Sequence, residues 1–63
     1  MSTYEESVLA AADEAGCLSY GDSQRLLGEH GFQLEDVYED SHGVSQVALD
    51  ERNAQALLIW LGY

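Results

Sequence analysis

Apolar residues in the first quarter of the chain recur mostly three or four positions apart, the spacing that places side chains on one face of an α-helix. These residues are Tyr4, Val8, Ala11, Ala12 and Ala15. Ser2 and Thr3 are each followed three residues later by a glutamate, which is the spacing of a capping box. The pattern predicts a first helix over residues 3–15, and Gly16 is expected to end it.

A second helical segment is predicted after a short apolar link. Ser19 is followed three residues later by Asp22, a pairing typical of a helix start. The helix is predicted over residues 20–30, with Gly31 at its C-terminal end and Phe32 folding back onto it. Gly28 interrupts this helix, and we interpret it as a position of close packing.

Between residues 33 and 49 the spacing changes, and residues that favour β-strands alternate with polar ones. They are Leu34, Val37, Tyr38, Val44, Val47 and Leu49. The Asp-Ser-His-Gly sequence at 40–43 has the composition of a turn, in which Gly43 is available for a positive φ. We expect a β-hairpin with strands at 35–39 and 44–48. It is expected to lie on the helices, because an isolated hairpin is marginal in water.

The fourth predicted element is a C-terminal helix over residues 51–61. Asp50 is a suitable N-cap, and Glu51 favours the first turn through the helix dipole. The sequence therefore predicts a single α+β domain over residues 1–63, with two N-terminal helices, a β-hairpin and a C-terminal helix. Its expected core comprises Val8, Leu18, Leu26, Leu27, Phe32, Val37, Val47, Leu57, Leu58 and Leu61.

The charge of the chain is strongly one-sided. Twelve Asp and Glu residues stand against two cations, Arg25 and Arg52, so the formal net charge is −10 and the sequence pI is about 4.1. Phosphate binding needs clustered Lys and Arg, so we expect no direct binding to nucleic acid. An anionic membrane surface would repel such a chain as well.

Three further features bear on where the protein works. The sequence has no run of about 20 apolar residues, which a membrane-spanning helix needs. Its first residues lack the basic region and apolar stretch of a secretory signal. Cys17 is the single cysteine, so neither a disulfide framework nor a cysteine-based metal cluster is expected. We therefore expect a cytoplasmic protein in a reducing compartment.

The acidic residues are paired along the chain. Ten of the twelve are adjacent, as Glu5-Glu6, Asp13-Glu14, Glu35-Asp36, Glu39-Asp40 and Asp50-Glu51. Such dense like charge lowers folding stability by self-repulsion. Duplex DNA is also densely anionic, with one charge per ~1.7 Å of axis, so these carboxylates are suited to a basic DNA-binding channel. The alternative is a non-mimic interaction module whose acidity serves solubility or adaptation to high salt.

Two sets of residues are candidates for binding. The partner-binding set consists of acids outside the apolar periodicity, which we expect to be exposed: Glu5, Glu6, Asp13, Glu14, Glu35, Asp36, Glu39 and Asp40. Glu6 and Asp13, seven residues apart, are expected on one face of the first helix. The self-association set is Ile59, Trp60 and Tyr63, because Tyr and Trp are enriched at protein interfaces. We expect a monomer or a weak homodimer.

The sequence does not predict an enzyme, a cofactor or a dedicated metal site. General acid–base catalysis needs carboxylates in different environments, whereas adjacent surface acids share one. Asp36, Glu39, Asp40 and His42 lie close in sequence but lack the glycine and spacing of a calcium loop. Residues 18–28, with the predicted hairpin after them, have the pattern of a winged helix-turn-helix without its basic surface. A regulator of phage origin is therefore a third alternative.

In size, acidity and element order, with the acid pairs given above, the chain resembles small anti-CRISPR proteins encoded by phages and other mobile elements. Some of these are DNA mimics that occupy the DNA-binding channel of a CRISPR effector. The resemblance implies a stoichiometric inhibitor without catalytic residues or a cofactor. It also implies that the protein acts in the cytoplasm of a bacterial or archaeal host cell, on a basic nucleic-acid-binding complex.

Overall fold

The structure, a computed structural model, describes residues 4–63 as a bundle of five short helices. They are α1 (Tyr4–Ala10), α2 (Tyr20–Glu29), α3 (Leu34–Glu39), α4 (Gln46–Asp50) and α5 (Ala54–Leu61). The predicted α+β fold is wrong, because residues 4–63 contain no β-strand beyond an isolated antiparallel bridge between Cys17 and Asn53. The predicted capping boxes at Ser2 and Thr3 lie outside the described residues.

The first predicted strand is helix α3. Leu34 and Val37, three residues apart, are both buried, which is the spacing of one helix face. The Gln33 amide donates a hydrogen bond to Oδ2 of Asp36, 2.9 Å away, and this satisfies a donor at the helix start. Burial of this face outweighs the β-propensity of valine, which depends strongly on context.

The second predicted strand is largely helix α4. Leu49 is fully buried while Val47 is 66% exposed, so the expected core position of Val47 is wrong. The turn predicted at residues 40–43 is present, although it joins two helices rather than two strands. His42 and Gly43 both have a positive φ, the sign pattern of a type I′ turn, and the Val44 amide bonds to the Ser41 carbonyl.

Helices α2 and α5 begin and end on local signals. The Ser19 side chain accepts a hydrogen bond from the Asp22 amide, as predicted. Gly31 has a φ of 81°, and the Phe32 amide bonds to the Leu27 carbonyl as in a Schellman motif. Helix α5 begins later than predicted. Its N-cap is Asn53, not Asp50, and the Asn53 side chain accepts from the Ala56 amide.

Helix α1 is shorter than predicted and ends at Ala10. Oδ1 of Asp13 accepts hydrogen bonds from the amides of Ala15 and Cys17, at 2.9 and 3.0 Å. A carboxylate bonded in this way stabilises a turn in place of further helix. Gly16 follows with a φ of 80°, and its carbonyl accepts a bond from the Ala54 amide. Residues 16–18 thereby connect α1 to the start of α5.

The core lies between α5 and the other helices. Its buried residues are Leu18, Leu26, Leu27, Leu34, Val37, Leu49, Ala54, Ala56, Leu57 and Trp60, and Leu58 is buried as well. Val8 and Leu61 are partly buried against it, whereas the predicted core residue Phe32 is 41% exposed. Gly28 is exposed, and a methyl group added to its Cα would have no neighbour within 4 Å, so its predicted close packing is wrong.

Candidate functional site

All eight acids of the partner-binding set are exposed, as predicted. Glu5 and Glu6 lie in the first turn of α1, and Asp13 and Glu14 lie in the turn that follows it. The predicted stripe along one long helix is wrong, because α1 ends at Ala10 and the Asp13 carboxylate caps a turn. The acids of α1 and those of residues 13–14 therefore lie on two different segments, a helix and a turn.

Helix α3 carries the densest group of acids in the described chain. Glu35, Asp36 and Glu39 are exposed on it, and Asp40 follows directly as its C-cap. At 100° per residue Glu35, Asp36 and Glu39 occupy the side of the helix opposite Leu34 and Val37, and Asp40 continues the group in extended backbone. Glu35 and Glu39, four residues apart, are separated by ~6 Å along the axis, close to two ~3.4 Å phosphate steps of one DNA strand. We name Glu35, Asp36, Glu39 and Asp40 the α3 acidic face.

The α3 acidic face borders a groove of about 440 Å³. Its wall consists of aromatic rings, carboxylates and Gly31. The rings are those of Phe32, His42 and Trp60, and the carboxylates are those of Asp36, Glu39 and Asp40. We name these six residues the aromatic–acidic groove. Acidic and aromatic side chains together favour a cationic ligand group.

The three rings of the groove are in direct contact. His42 stacks on Trp60 with 4.6 Å between ring centroids and an interplanar angle of 3°, and Phe32 meets Trp60 edge-on at 5.0 Å. Nε1 of Trp60 donates a hydrogen bond to the Asp40 carbonyl. Asp40 in turn holds His42, because its Oδ1 accepts the His42 amide and its Oδ2 lies 3.4 Å from His42 Nε2.

The three residues of the predicted self-association set differ in exposure. Ile59 is 53% exposed and Tyr63 is 50% exposed. Trp60, in contrast, is only 6% exposed, and its ring and its Nε1 are engaged within the chain. Trp60 therefore belongs to the core and to the wall of the groove. Of the predicted self-association set, only Ile59 and Tyr63 are exposed.

A second aromatic cluster joins α1, the end of α2 and the C-terminal residue. The rings of Tyr4, His30 and Tyr63 lie 5.6 to 5.8 Å apart, centroid to centroid. The Tyr4 hydroxyl donates to Oε2 of Glu29 at 2.8 Å. Partial burial, together with the bonded and negatively charged Glu29, raises the pKa of Tyr4 to about 12. Nδ1 of His30 lies 2.9 Å from the Leu26 carbonyl, so the His30 ring lies over the last turn of α2.

A smaller groove of about 270 Å³ lies between α1 and α2. Val8 and Leu26 line its apolar part, and Asp22, Arg25 and Glu29 are the charged residues around it. Charges of both signs meet here, unlike at the aromatic–acidic groove. The other cation, Arg52, is half-buried, and its Nε donates to the Leu18 carbonyl. Neither arginine lines the aromatic–acidic groove.

Other kinds of site are not found in the part of the chain that the structure describes. No cluster of three or more His, Cys, Asp and Glu side chains within residues 4–63 is arranged to hold a metal ion. None of the described helices combines the length and apolar character needed to cross a membrane. No family model, curated protein or solved structure matches the chain. The geometry of the chain's own residues is therefore the basis for assigning it a function.

The groove is the part of the site that the sequence does not predict. Phe32 and His42 are 28 and 18 residues from Trp60 along the chain, so their contacts depend on tertiary packing. The one available local signal is the positive-φ turn at 42–43, which brings the His42 ring back towards the bundle. The exposure of the acids, in contrast, is predicted from the sequence, although for residues 35–40 it follows from the helical spacing of Leu34 and Val37 and not from the predicted strand.

Proposed function

We propose that this protein is an acidic inhibitor that binds a nucleic-acid-binding protein in place of DNA. The proposal rests on the α3 acidic face, because Glu35, Asp36 and Glu39 project from a helix whose other side is buried in the core, and Asp40 follows directly. A fixed array of carboxylates resembles a phosphate backbone in charge density. It also attracts a channel lined with Lys and Arg over distances up to the Debye length, ~10 Å at 0.1 M salt.

The favoured target is a CRISPR effector complex in the cytoplasm of a bacterial or archaeal host. This choice rests on the resemblance of the chain to small anti-CRISPR proteins in size and acidity alone, because the element order of the structure is not the one predicted. Such an inhibitor acts by occupancy, so the proposal includes no catalytic step and no cofactor. Direct binding of the protein to nucleic acid is not part of it, since twelve acids repel phosphates and two arginines do not offset them.

The proposal is tested by competition on purified CRISPR effector complexes of different types. The protein should displace target DNA from one of them, and added DNA should displace the protein. Its affinity should fall steeply as ionic strength rises, because exposed charges are screened by salt. The protein alone should not shift duplex DNA in a gel. A DNA shift by the protein alone, or a partner whose affinity is independent of salt, contradicts the proposal.

A second candidate function is a non-mimic interaction module, which the exposure of Ile59 and Tyr63 favours. In that case the acids serve solubility or adaptation to high salt, and apolar contacts carry the binding. Ile59→Ala should then abolish partner binding while acid substitutions leave it unchanged. Tyr63→Ala should do the same, but circular dichroism must first show that it folds, because the Tyr63 ring contacts Tyr4 and His30. Trp60 is unsuitable for this comparison, because truncating a buried ring also destabilises the fold. Adaptation to salt has its own signature, a chain unfolded in dilute buffer and folded in molar salt.

A further inference from the structure

We infer that the aromatic–acidic groove binds a single arginine side chain of the basic partner. This inference rests on the proposed function and names a specific anchor within it. The groove adjoins the α3 acidic face, since Asp36, Glu39 and Asp40 belong to both. A partner that lies along this face therefore passes the opening of the groove.

The ring wall of the groove is suited to a planar cation. The His42 side chain is 48% exposed, with one side of its ring against Trp60, and Phe32 is 41% exposed. Both rings are held in place, because each contacts the buried indole. Cations are attracted to the faces of Phe, Tyr and Trp rings, and this attraction grows as water is excluded. Phe32 offers such a face, because Trp60 is buried and covered by His42, and the His42 ring adds a flat surface for stacking. The groove is open to solvent, and its volume of about 440 Å³ leaves room for one side chain.

The carboxylates of the groove differ in how far they are already engaged. Asp36 uses Oδ2 for the Gln33 amide, and both oxygens of Asp40 face His42. Glu39 makes no such contact within the described residues, so its carboxylate is available to an incoming donor. A guanidinium that stacks on the rings is thus within reach of Glu39 as its main acceptor, with the free oxygen of Asp36 beside it.

The combination of rings and carboxylates selects arginine over the other candidates. A guanidinium is planar, stacks on aromatic rings and donates two parallel hydrogen bonds to a carboxylate, whereas the lysine ammonium is a compact and strongly hydrated charge. A metal ion is disfavoured, because no described cluster of His, Cys, Asp and Glu is arranged to hold one. An apolar side chain would leave three carboxylates facing a surface that does not solvate them.

The test uses the full-length protein and short glycine peptides that carry one arginine, one lysine or one citrulline. Citrulline has nearly the shape of arginine without its charge. Trp60 is the single tryptophan, so its fluorescence and its indole N–H signal in the NMR spectrum report directly on the groove. The arginine peptide should shift both signals, the lysine peptide should bind about threefold more weakly, and the citrulline peptide should have no effect.

Two matched variants locate the binding. Glu39→Gln and Glu14→Gln remove the same charge from exposed positions, but only Glu39 lines the groove. Glu39→Gln should lower the affinity for the arginine peptide about fivefold, and Glu14→Gln should lower it less than about twofold. Phe32→Leu should remove the preference for arginine over lysine. Equal losses in the two glutamine variants, or no shift of the Trp60 signals, would overturn the inference.

The same measurements separate this inference from the proposed function. Equal losses of arginine-peptide affinity in the two glutamine variants would show that the groove is not the binding site. They would not contradict inhibition by the acidic surface. If the arginine peptide binds at the groove while no CRISPR effector loses its DNA, the groove is supported and the proposed target is not.

Discussion

The indole Nε1 of Trp60 donates a 2.6 Å hydrogen bond to the main-chain carbonyl of Asp40. This bond joins the buried face of α5 to the end of the α3 acidic face, 20 residues away in sequence. It fixes the chain at the point where α3 ends and the 42–43 turn begins, and His42 closes over the same indole. The position of the acidic surface thus depends on a residue of the core.

Trp60→Phe should therefore lower the free energy of unfolding by about 2–3 kcal/mol. The substitution removes a donor from a carbonyl that keeps no equivalent partner, and it reduces the ring volume in the core. For a domain of this size the melting temperature should fall by ~10–20 °C. Thermal melting followed by circular dichroism measures the change. Tyr20→Phe, at a ring that is 60% exposed, is the control and should change the stability by less than ~0.5 kcal/mol. Equal melting temperatures of the two variants would contradict the stabilising role of the Trp60 ring and its hydrogen bond.

Gly28→Ala should stabilise the protein by about 0.5–1 kcal/mol. Gly28 lies inside α2 with a helical backbone and open space around it, so alanine adds helix propensity without a clash. Gly31→Ala is the matched comparison and should destabilise by about 1 kcal/mol, because Gly31 has a φ of 81°. Urea unfolding of both variants gives the sign of each change. Destabilisation by Gly28→Ala would show that this face of α2 is covered.

Tyr4→Phe should remove a tyrosinate titration step near pH 12. The pKa of Tyr4 in the folded protein, about 12, lies above its ordinary value of 10.0, so folding favours the neutral phenol. The stabilisation of the fold by the neutral Tyr4 phenol is fully present below pH 10 and is lost as the pH rises towards 12. The free energy of unfolding of the native protein should therefore exceed that of Tyr4→Phe by a constant amount around neutral pH. This difference should shrink above pH 10. Difference absorbance and urea unfolding over this range measure it. The prediction is wrong if the native protein and the variant have the same alkaline titration.

Local signals in the sequence predict several helix ends correctly. Ser19 and Gly31 act as predicted at the ends of α2, since the groups they satisfy are only a few residues away. The preference of valine for strands predicts a hairpin within residues 33–49, yet Val37 is buried on a helix face. Propensities of this size are overridden by packing against distant residues, which the sequence does not display. The N-cap role of Asn53 is missed, although this residue precedes an alanine- and leucine-rich run.

The candidate site is likewise predictable only where it depends on residues that are close in sequence. The predicted exposure of the acids is confirmed, although residues 35–40 are exposed on a helix and its C-cap and not on the predicted strand. Which acids share a surface depends on where helices end, so the stripe from Glu6 to Asp13 is wrong while the group on residues 35–40 is continuous. The aromatic wall beside that group depends on the packing of α5 against the loops, which no local pattern encodes.

The most direct test of the proposed inhibition compares two double charge reversals that change the net charge equally. Glu35→Lys with Glu39→Lys alters the α3 acidic face at exposed positions that take no part in helix capping. Asp50→Lys with Glu51→Lys, at the exposed end of α4, is the control. Circular dichroism first establishes that both variants fold, as expected for exposed substitutions.

The decisive measurement is the concentration of each variant that displaces target DNA from the effector complex bound by the native protein. Charge mimicry predicts at least about a tenfold loss for the α3 variant, because like charges placed against a basic channel cost several kcal/mol. The α4 control should stay within about threefold of the native protein, since it keeps the α3 acidic face. A folded α3 variant that displaces DNA as well as the control would contradict inhibition by charge mimicry through the α3 acidic face.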